Sequence, residues 1–214
     1  REKYIGGKES WEATQDMMRS ILKDLNVDFE EADGEAAFYG PKLDIQIKNV
    51  HGKEDTLITI QIDFQLAERF GMKYVDSDGT KKYPYVIHRT SIGCYERTLA
   101  LLIEKYAGAF PVWLAPVQVK VLSVSDKNLE YAEKVYQKLS ELGIRCELDS
   151  RNEKIGYMIR EARQIDRVPY MLIIGGREAE NETVSVRDRA TDQTESMTFQ
   201  EFAERIQYEI TKRL

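Results

Sequence analysis

His88-Arg89-Thr90-Ser91-Ile92-Gly93-Cys94-Tyr95-Glu96-Arg97 joins a strand-like run, Tyr85-Val86-Ile87, to a long amphipathic pattern. Tyr95, Leu99, Leu102, Ile103 and Tyr106 recur at helical spacing and make one face. Gly93 and Arg97 lie one turn apart on a different face. Gly93 leaves room for a flat ligand to approach the backbone. Arg97 offers a planar cation that can stack on such a ligand or fork onto phosphate. A strand delivering His88, then a helix delivering Gly and Arg, suits a nucleotide site at a sheet edge. Spacing alone leaves open a surface Arg and a His satisfied in the core.

Working outward, two segments upstream show clean period-2 patterns. Leu43, Ile45 and Ile47 alternate with Asp44, Gln46 and Lys48; Ile58, Ile60, Ile62 and Phe64 alternate with Thr59, Gln61 and Asp63. Half-buried antiparallel strands read this way. Their polar face carries amides, hydroxyls and carboxylates, which fit either a polar ligand or ordinary solvent. Asn49–Asp55 and Asp76–Lys82 are expected hairpin loops, the second with Asp78-Gly79 at its tip. Further upstream, Ser10 is an expected helix cap. Trp11, Met18, Leu22 and Leu25 predict a helix over about residues 10–25, and Val27-Asp28-Phe29 a return strand. The first part therefore reads as α+β, a meander of antiparallel strands with helices at either end.

Downstream, Pro111 and Pro116 bracket a short apolar link, and the rhythm changes to alternating strand and helix. Strands are expected at 117–124, 144–148, 170–174 and 183–187. Helices are expected from Tyr131 to a stop at Gly143, over 155–165, and after a Thr198/Glu201 capping box. Gly175-Gly176 is expected to turn the chain. This alternation predicts a small α/β domain with a central sheet. The expected domains are residues 1–112 and 113–214.

The chain has 214 residues, of which 42% are hydrophobic and 32% charged, so it can bury a core of one or two domains. No apolar run is long enough to span a membrane, and a cytoplasmic setting is expected. Cys94 and Cys146 form no CxxC and suggest no disulfide framework. The net charge of −6 argues against indiscriminate nucleic-acid binding. Residues 1–110 hold 15 basic and 19 acidic residues, and 111–214 hold 16 and 18, so the halves are −4 and −2. Any RNA contact must come from a local patch. Arg151, Lys154, Arg160, Arg163 and Arg167 crowd one segment, with Glu153, Glu161 and Asp166 expected to offset three of them. Asn152 precedes the expected helix start, where an amide can read a base edge or serve as a cap. No Walker P-loop, dinucleotide fingerprint, HExxH or GxSxG pattern occurs, and two histidines cannot make a three-histidine site. The chain begins at Arg1 and is read as part of a longer protein.

The 88–97 stretch resembles motif 3 of the class II aminoacyl-tRNA synthetases. The flanks Phe38-Tyr39-Gly40-Pro41-Lys42 and Phe110-Pro111-Val112-Trp113-Leu114-Ala115-Pro116 narrow the resemblance to the threonyl-tRNA synthetase family. So do Asp149-Ser150-Arg151-Asn152-Glu153-Lys154-Ile155-Gly156 and Val168-Pro169-Tyr170-Met171. The match runs nearly end to end but covers only the back part of such an enzyme; the family's motifs 1 and 2 find no counterpart. It implies part of a class II catalytic antiparallel sheet, followed by a small α/β anticodon-binding domain with a mixed sheet.

The resemblance further implies a threonine–tRNA ligase that uses Mg2+ with ATP, works as a homodimer, and serves tRNA(Thr). The fragment alone is expected to be inactive. Arg97 would contact ATP, and Lys42 would assist attack on the α-phosphate, where fixed cations stabilise developing charge. Tyr39 and Gln61 would line the threonine pocket, with Cys94 beside it where relatives have a small polar residue. His88 would be one of three Zn2+ ligands, the other two lying outside this chain; the open zinc position would take threonine's amino and hydroxyl groups. Asn152, Arg160, Glu178 and Arg187 would contact the anticodon, with Arg189 nearby. A catalytically inactive tRNA-binding paralogue or fragment is the alternative.

Overall fold

The computed structural model describes residues 3–214. The chain divides into two compact units, Arg1–Leu101 and Leu102–Leu214, with the division inside helix α3 (Tyr95–Tyr106).

The first unit is built on three antiparallel strands in the order β1 (Lys42–Lys48), β2 (Glu54–Asp63), β5 (Val86–Arg89). Two short strands, β3 (Tyr74–Val75) and β4 (Lys81–Lys82), form a separate ribbon closed by the Asp76–Thr80 turn. The alternation in β1 and β2 is realised: Leu43, Ile60 and Arg89 share one face, as do Ile62 and Ile87, while the polar set lies on the other. The register slips between Ile45 and Gln46, because Ile45 faces Ile58 but Gln46 faces Thr56. Leu57 is the extra residue of this bulge.

Helix α1 (Lys8–Asp24) begins earlier than its apolar pattern suggested. Gly7 is its cap residue and no side chain caps it. Ser10 lies within the first turn, and its hydroxyl accepts from Tyr85 Oη at 3.3 Å. Acidic Glu9 in the first turn and Lys23 in the last suit the helix dipole. Trp11 packs edge-on against Tyr4 and Phe64, with centroids 5.2 and 5.7 Å away. That contact seats α1 on the end of β2. The return strand expected at Val27-Asp28-Phe29 does not form; the chain there is irregular up to β1. A run of three residues with no partner strand has no ladder to join. A short helix, α2 (Leu66–Arg69), follows β2 directly.

The second unit has a five-stranded mixed sheet in the order β10-β9-β8-β6-β7. Strands β6 (Val119–Ser123), β7 (Cys146–Asp149) and β8 (Tyr170–Ile174) are parallel; β9 (Thr183–Asp188) and β10 (Thr194–Thr198) continue antiparallel. One face packs its valines and leucines against α4 (Leu129–Glu141) and α7 (Phe199–Lys212). The other buries Leu122 and Met171 under Met158 and Ala162 of α5 (Ile155–Gln164). Gly175-Gly176 does more than turn the chain: it opens α6 (Gly176–Asn181). The Thr198/Glu201 capping box forms as the sequence predicts. The apolar segment after Pro111 folds onto this unit. Val112 and Ala115 are buried, and buried Gln118 donates to the Val112 carbonyl at 2.9 Å.

No helix among the described residues is long and apolar enough to cross a membrane.

Candidate functional site

In the first unit, Lys42 stands opposite Gln61, and Gln61 stands opposite His88. Directly opposed residues share a face, so the three form one row across β1, β2 and β5. Asp44 opposes Thr59 on the same face. Tyr39 Oη donates to Gln61 Oε1 at 2.7 Å, which orients the amide so that its NH2 is free to meet a ligand. Lys42 Nζ donates to Asp44 Oδ2 at 2.5 Å, and Thr59 Oγ1 donates to Asp44 Oδ1 at 2.7 Å. Asp44 thereby holds the ammonium over the row.

Backbone geometry brings Tyr39 to this face. A Cβ on Gly40 would sit 1.7 Å from the Ile62 carbonyl oxygen, so only glycine lets the 39–41 segment lie flat on β2. Phe64 N–H donates to the Tyr39 carbonyl, and Ile62 N–H to that of Pro41.

Arg97 reaches β2 at a different point. Its Nη1 donates to the Thr56 carbonyl at 2.7 Å, and it bonds none of the row residues. Gly93, at φ +75°, faces the bulge: its Cβ would meet the Leu57 carbonyl oxygen at 2.1 Å. The room at Gly93 is therefore filled by β2's own backbone. Cys94 Sγ donates to Glu96 Oε2 at 2.9 Å and lowers the Glu96 carboxyl from its ordinary value.

Asp63 was not singled out from the sequence, although its period-2 placement with Gln61 would have flagged it. Its Oδ2 lies 3.1 Å from His88 Nε2. Burial alone would raise its carboxyl, but N–H bonds from Leu66 and Gln65, with His88, hold it below the ordinary value. The His88 side chain is 43% exposed, and its Nδ1 makes no hydrogen bond among the described residues. An imidazole backed by a carboxylate, with its second nitrogen open, is the donor arrangement zinc uses. His88 thus fits one ligand position. No group of three or more metal-binding side chains occurs among the described residues.

In the second unit, Asn152 lies in the exposed loop between β7 and α5. It makes no hydrogen bond among the described residues and is not the cap of α5, a position held by Lys154. Arg160 is exposed on α5 with no ion pair there among the described residues. The expected charge offsets differ in detail. Arg151 holds Asp149 Oδ2 at 2.6 Å and also Glu161, whereas Asp166 pairs with Lys120, at 2.5 Å, outside the cluster. Glu153 forms no ion pair among the described residues. Lys154, Arg160 and Arg167 are thus left without an ion pair among the described residues.

Arg187 and Arg163 share a single carboxylate, Asp192, at 2.6 and 3.1 Å. This bridge places Arg187 on the sheet face that α5 packs against. Arg187 Nε is buried with no hydrogen-bond partner among the described residues. Glu178 is committed internally: its oxygens accept from Gly175 N–H at 2.9 Å and Ser185 Oγ at 2.7 Å. Burial would raise its carboxyl, but these bonds keep it low and anionic. Ser185 and Arg187 point to one face, so Glu178, Ser185, Arg187 and α5 share a side of the sheet. Arg189 is a latch: its guanidinium donates to the carbonyls of Ala109, Phe110 and Arg167.

Residues 6–106 match the tRNA synthetase class II core domain (G, H, P, S and T), and residues 118–209 match an anticodon binding domain. The chain is 64% identical over 212 residues to a threonine–tRNA ligase of Clostridium perfringens, covering 99% of this chain and 33% of that protein. It is 48% identical to the same ligase of Oceanobacillus iheyensis, covering 98% and 32%. The chain thus spans about a third of the length of these curated relatives. Among solved structures it resembles the RNA binding domain of threonyl-tRNA synthetase from Cryptosporidium parvum, with TM-score 0.86, 33% identity, and 96% of this chain and 52% of that one covered. A putative threonyl-tRNA synthetase from Aeropyrum pernix matches with TM-score 0.73 and 26% identity, over 98% and 51%. With a class II core segment and an anticodon-binding domain in the same order, the chain belongs to the threonyl-tRNA synthetase family.

Proposed function

We propose that this chain is part of a threonine–tRNA ligase: it supplies a portion of the aminoacylation site and the recognition of the tRNA anticodon. The Lys42–Gln61–His88 row carries the reading, because it aligns a cation, an amide and an imidazole on one polar face. Gln61, oriented by Tyr39, hydrogen-bonds the amino acid. Lys42 stabilises charge on the α-phosphate of ATP, which enters with Mg2+ as substrate. Arg97 binds the nucleotide with the guanidinium donors that its Thr56 contact leaves over. Cys94, at the start of α3, borders the same site. His88 would hold Zn2+ together with ligands from outside this chain; the metal would take threonine's amino and hydroxyl groups, of which valine has only the first.

In the second unit, Asn152 reads a base edge, Arg160 and Arg187 meet phosphate, and Glu178 shapes the face they share. The partner is tRNA(Thr). The working enzyme is a cytoplasmic homodimer.

The test is threonine-dependent pyrophosphate exchange by the protein of the relatives' length that carries this chain. Exchange with threonine should fall on the order of 10²-fold or more in Lys42→Ala. No exchange with threonine, or equal exchange with valine, would remove this reading. Binding of a threonine anticodon stem-loop to the 214-residue chain tests the RNA half separately.

A further inference from the structure

Asp63 closes β2 with a side chain only 8% exposed. Its Oδ1 accepts two backbone N–H groups, from Gln65 at 2.7 Å and Leu66 at 2.9 Å. These bonds fix the carboxylate plane, and the remaining oxygen, Oδ2, faces His88 Nε2 at 3.1 Å. Two main-chain donors on one oxygen and an imidazole on the other suit an ionised carboxylate, which can only accept. The nitrogen facing it must then carry the hydrogen. A neutral imidazole protonated at Nε2 has its lone pair on Nδ1. Nδ1 is the nitrogen with no hydrogen bond among the described residues, and the ring stands at the end of the Lys42–Gln61–His88 row.

We infer that Asp63 is a positioning residue that holds His88 in the Nε2–H tautomer and leaves Nδ1 as the nitrogen that ligates metal. The ligation half rests on the zinc reading above; the tautomer half does not. Carboxylate partners of this kind fix ring orientation and raise ligand basicity in metal sites.

Asp63→Asn gives a sharp test. The side-chain oxygen is claimed by the Gln65 and Leu66 N–H groups, so the amide NH2 turns to His88. A donor now faces Nε2, and the ring must move its hydrogen to Nδ1. The variant keeps the contact that seats α2, so the fold survives while the tautomer inverts.

The experiment uses the 214-residue chain at about pH 8, above the ordinary His range. Long-range nitrogen–proton NMR correlations report the protonation of each ring nitrogen. The chain holds two histidines, and a His51→Gln variant assigns them. Wild-type His88 should show a protonated Nε2 and an unprotonated Nδ1. In Asp63→Asn the two signals should exchange their ranges, with the amide spectrum otherwise native-like. An Nδ1–H tautomer in the wild type, or an unchanged His88 in a folded Asp63→Asn, overturns the inference. Should Asp63→Asn fail to fold, the wild-type tautomer alone decides it. Zn2+ is then titrated into the protein of the relatives' length that carries this chain and supplies the remaining ligands. A shift at Nδ1 supports ligation there, and a shift at Nε2 overturns it. If zinc moves neither nitrogen while the tautomer is as expected, the metal reading of His88 fails and the positioning by Asp63 stands.

Discussion

Arg97 and Thr56 are joined across 41 residues of sequence: Arg97 Nη1 donates to the Thr56 carbonyl at 2.7 Å. Thr56 borders the β2 bulge, and the next carbonyl, that of Leu57, lies against Gly93. Two adjacent carbonyls of β2 therefore meet the segment that leads into α3, one bonded by Arg97 and one lying against Gly93.

Gly93→Ala should break this arrangement. The new Cβ would lie 2.1 Å from backbone oxygen, and φ is +75°. Backbone cannot retreat as a side-chain tip can, so a stability loss on the order of 2 kcal/mol or more is expected. Urea unfolding of the chain, followed by a signal from the first unit, checks it. A wild-type midpoint would show that the bulge yields.

The second unit should lose stability in acid through Asp149. Its side chain is buried, and Arg151, through its side-chain bonds, holds the carboxyl below the ordinary value. Such a group binds fewer protons folded than unfolded. Its contribution is full above the ordinary aspartate value of about 4 and is lost as pH falls through the lower folded value. Asp149→Asn should therefore flatten the pH dependence of stability below about pH 4, measured by denaturation at a series of pH values. An unchanged slope would mean that other carboxylates carry it.

Thr198→Ala should cost about 1 kcal/mol, because it removes the cap of α7. Thr198 Oγ1 accepts from Glu201 N–H at 3.2 Å, and its own N–H donates to Glu201 Oε2 at 2.8 Å. Thermal melting measures the change. Loss of Glu201 should be non-additive with it, since both serve one box.

Asn152→Ala should leave stability unchanged, as the side chain neither caps α5 nor bonds within the described residues. If Asn152 reads a base, the variant should weaken only the threonine anticodon stem-loop, by roughly 1–3 kcal/mol. Arg160→Ala should weaken all stem-loops alike and reduce the salt slope by about one unit. Equal loss in Asn152→Ala for the threonine stem-loop and for one with its middle anticodon base changed would show that Asn152 is not a reader.

Much was legible in the sequence because the signals were periodic. The alternation of Thr59, Gln61 and Asp63 with isoleucines placed the polar face of β2, and the Thr198/Glu201 spacing located the start of α7. The start of α1 was misread because Gly7 caps it without a side chain, so there was no polar residue to see. Strand β10 needed its partner: Thr194–Thr198 carries little apolar pattern and is a strand because it pairs with β9, which the sequence already marked.

Local periodicity by itself determined which faces are apolar, where most helices and strands run, and which residues lie on a common polar side. Those properties depend on neighbours within a few positions. Only the tertiary structure decided the pairing of distant groups. It set Lys42, Gln61 and His88 in one row, put Asp63 behind His88, gave Arg187 and Arg163 a shared Asp192, and took Glu178 into a cap. Register, a single bulge and the reach of individual side chains fix such contacts, and each depends on residues tens of positions apart.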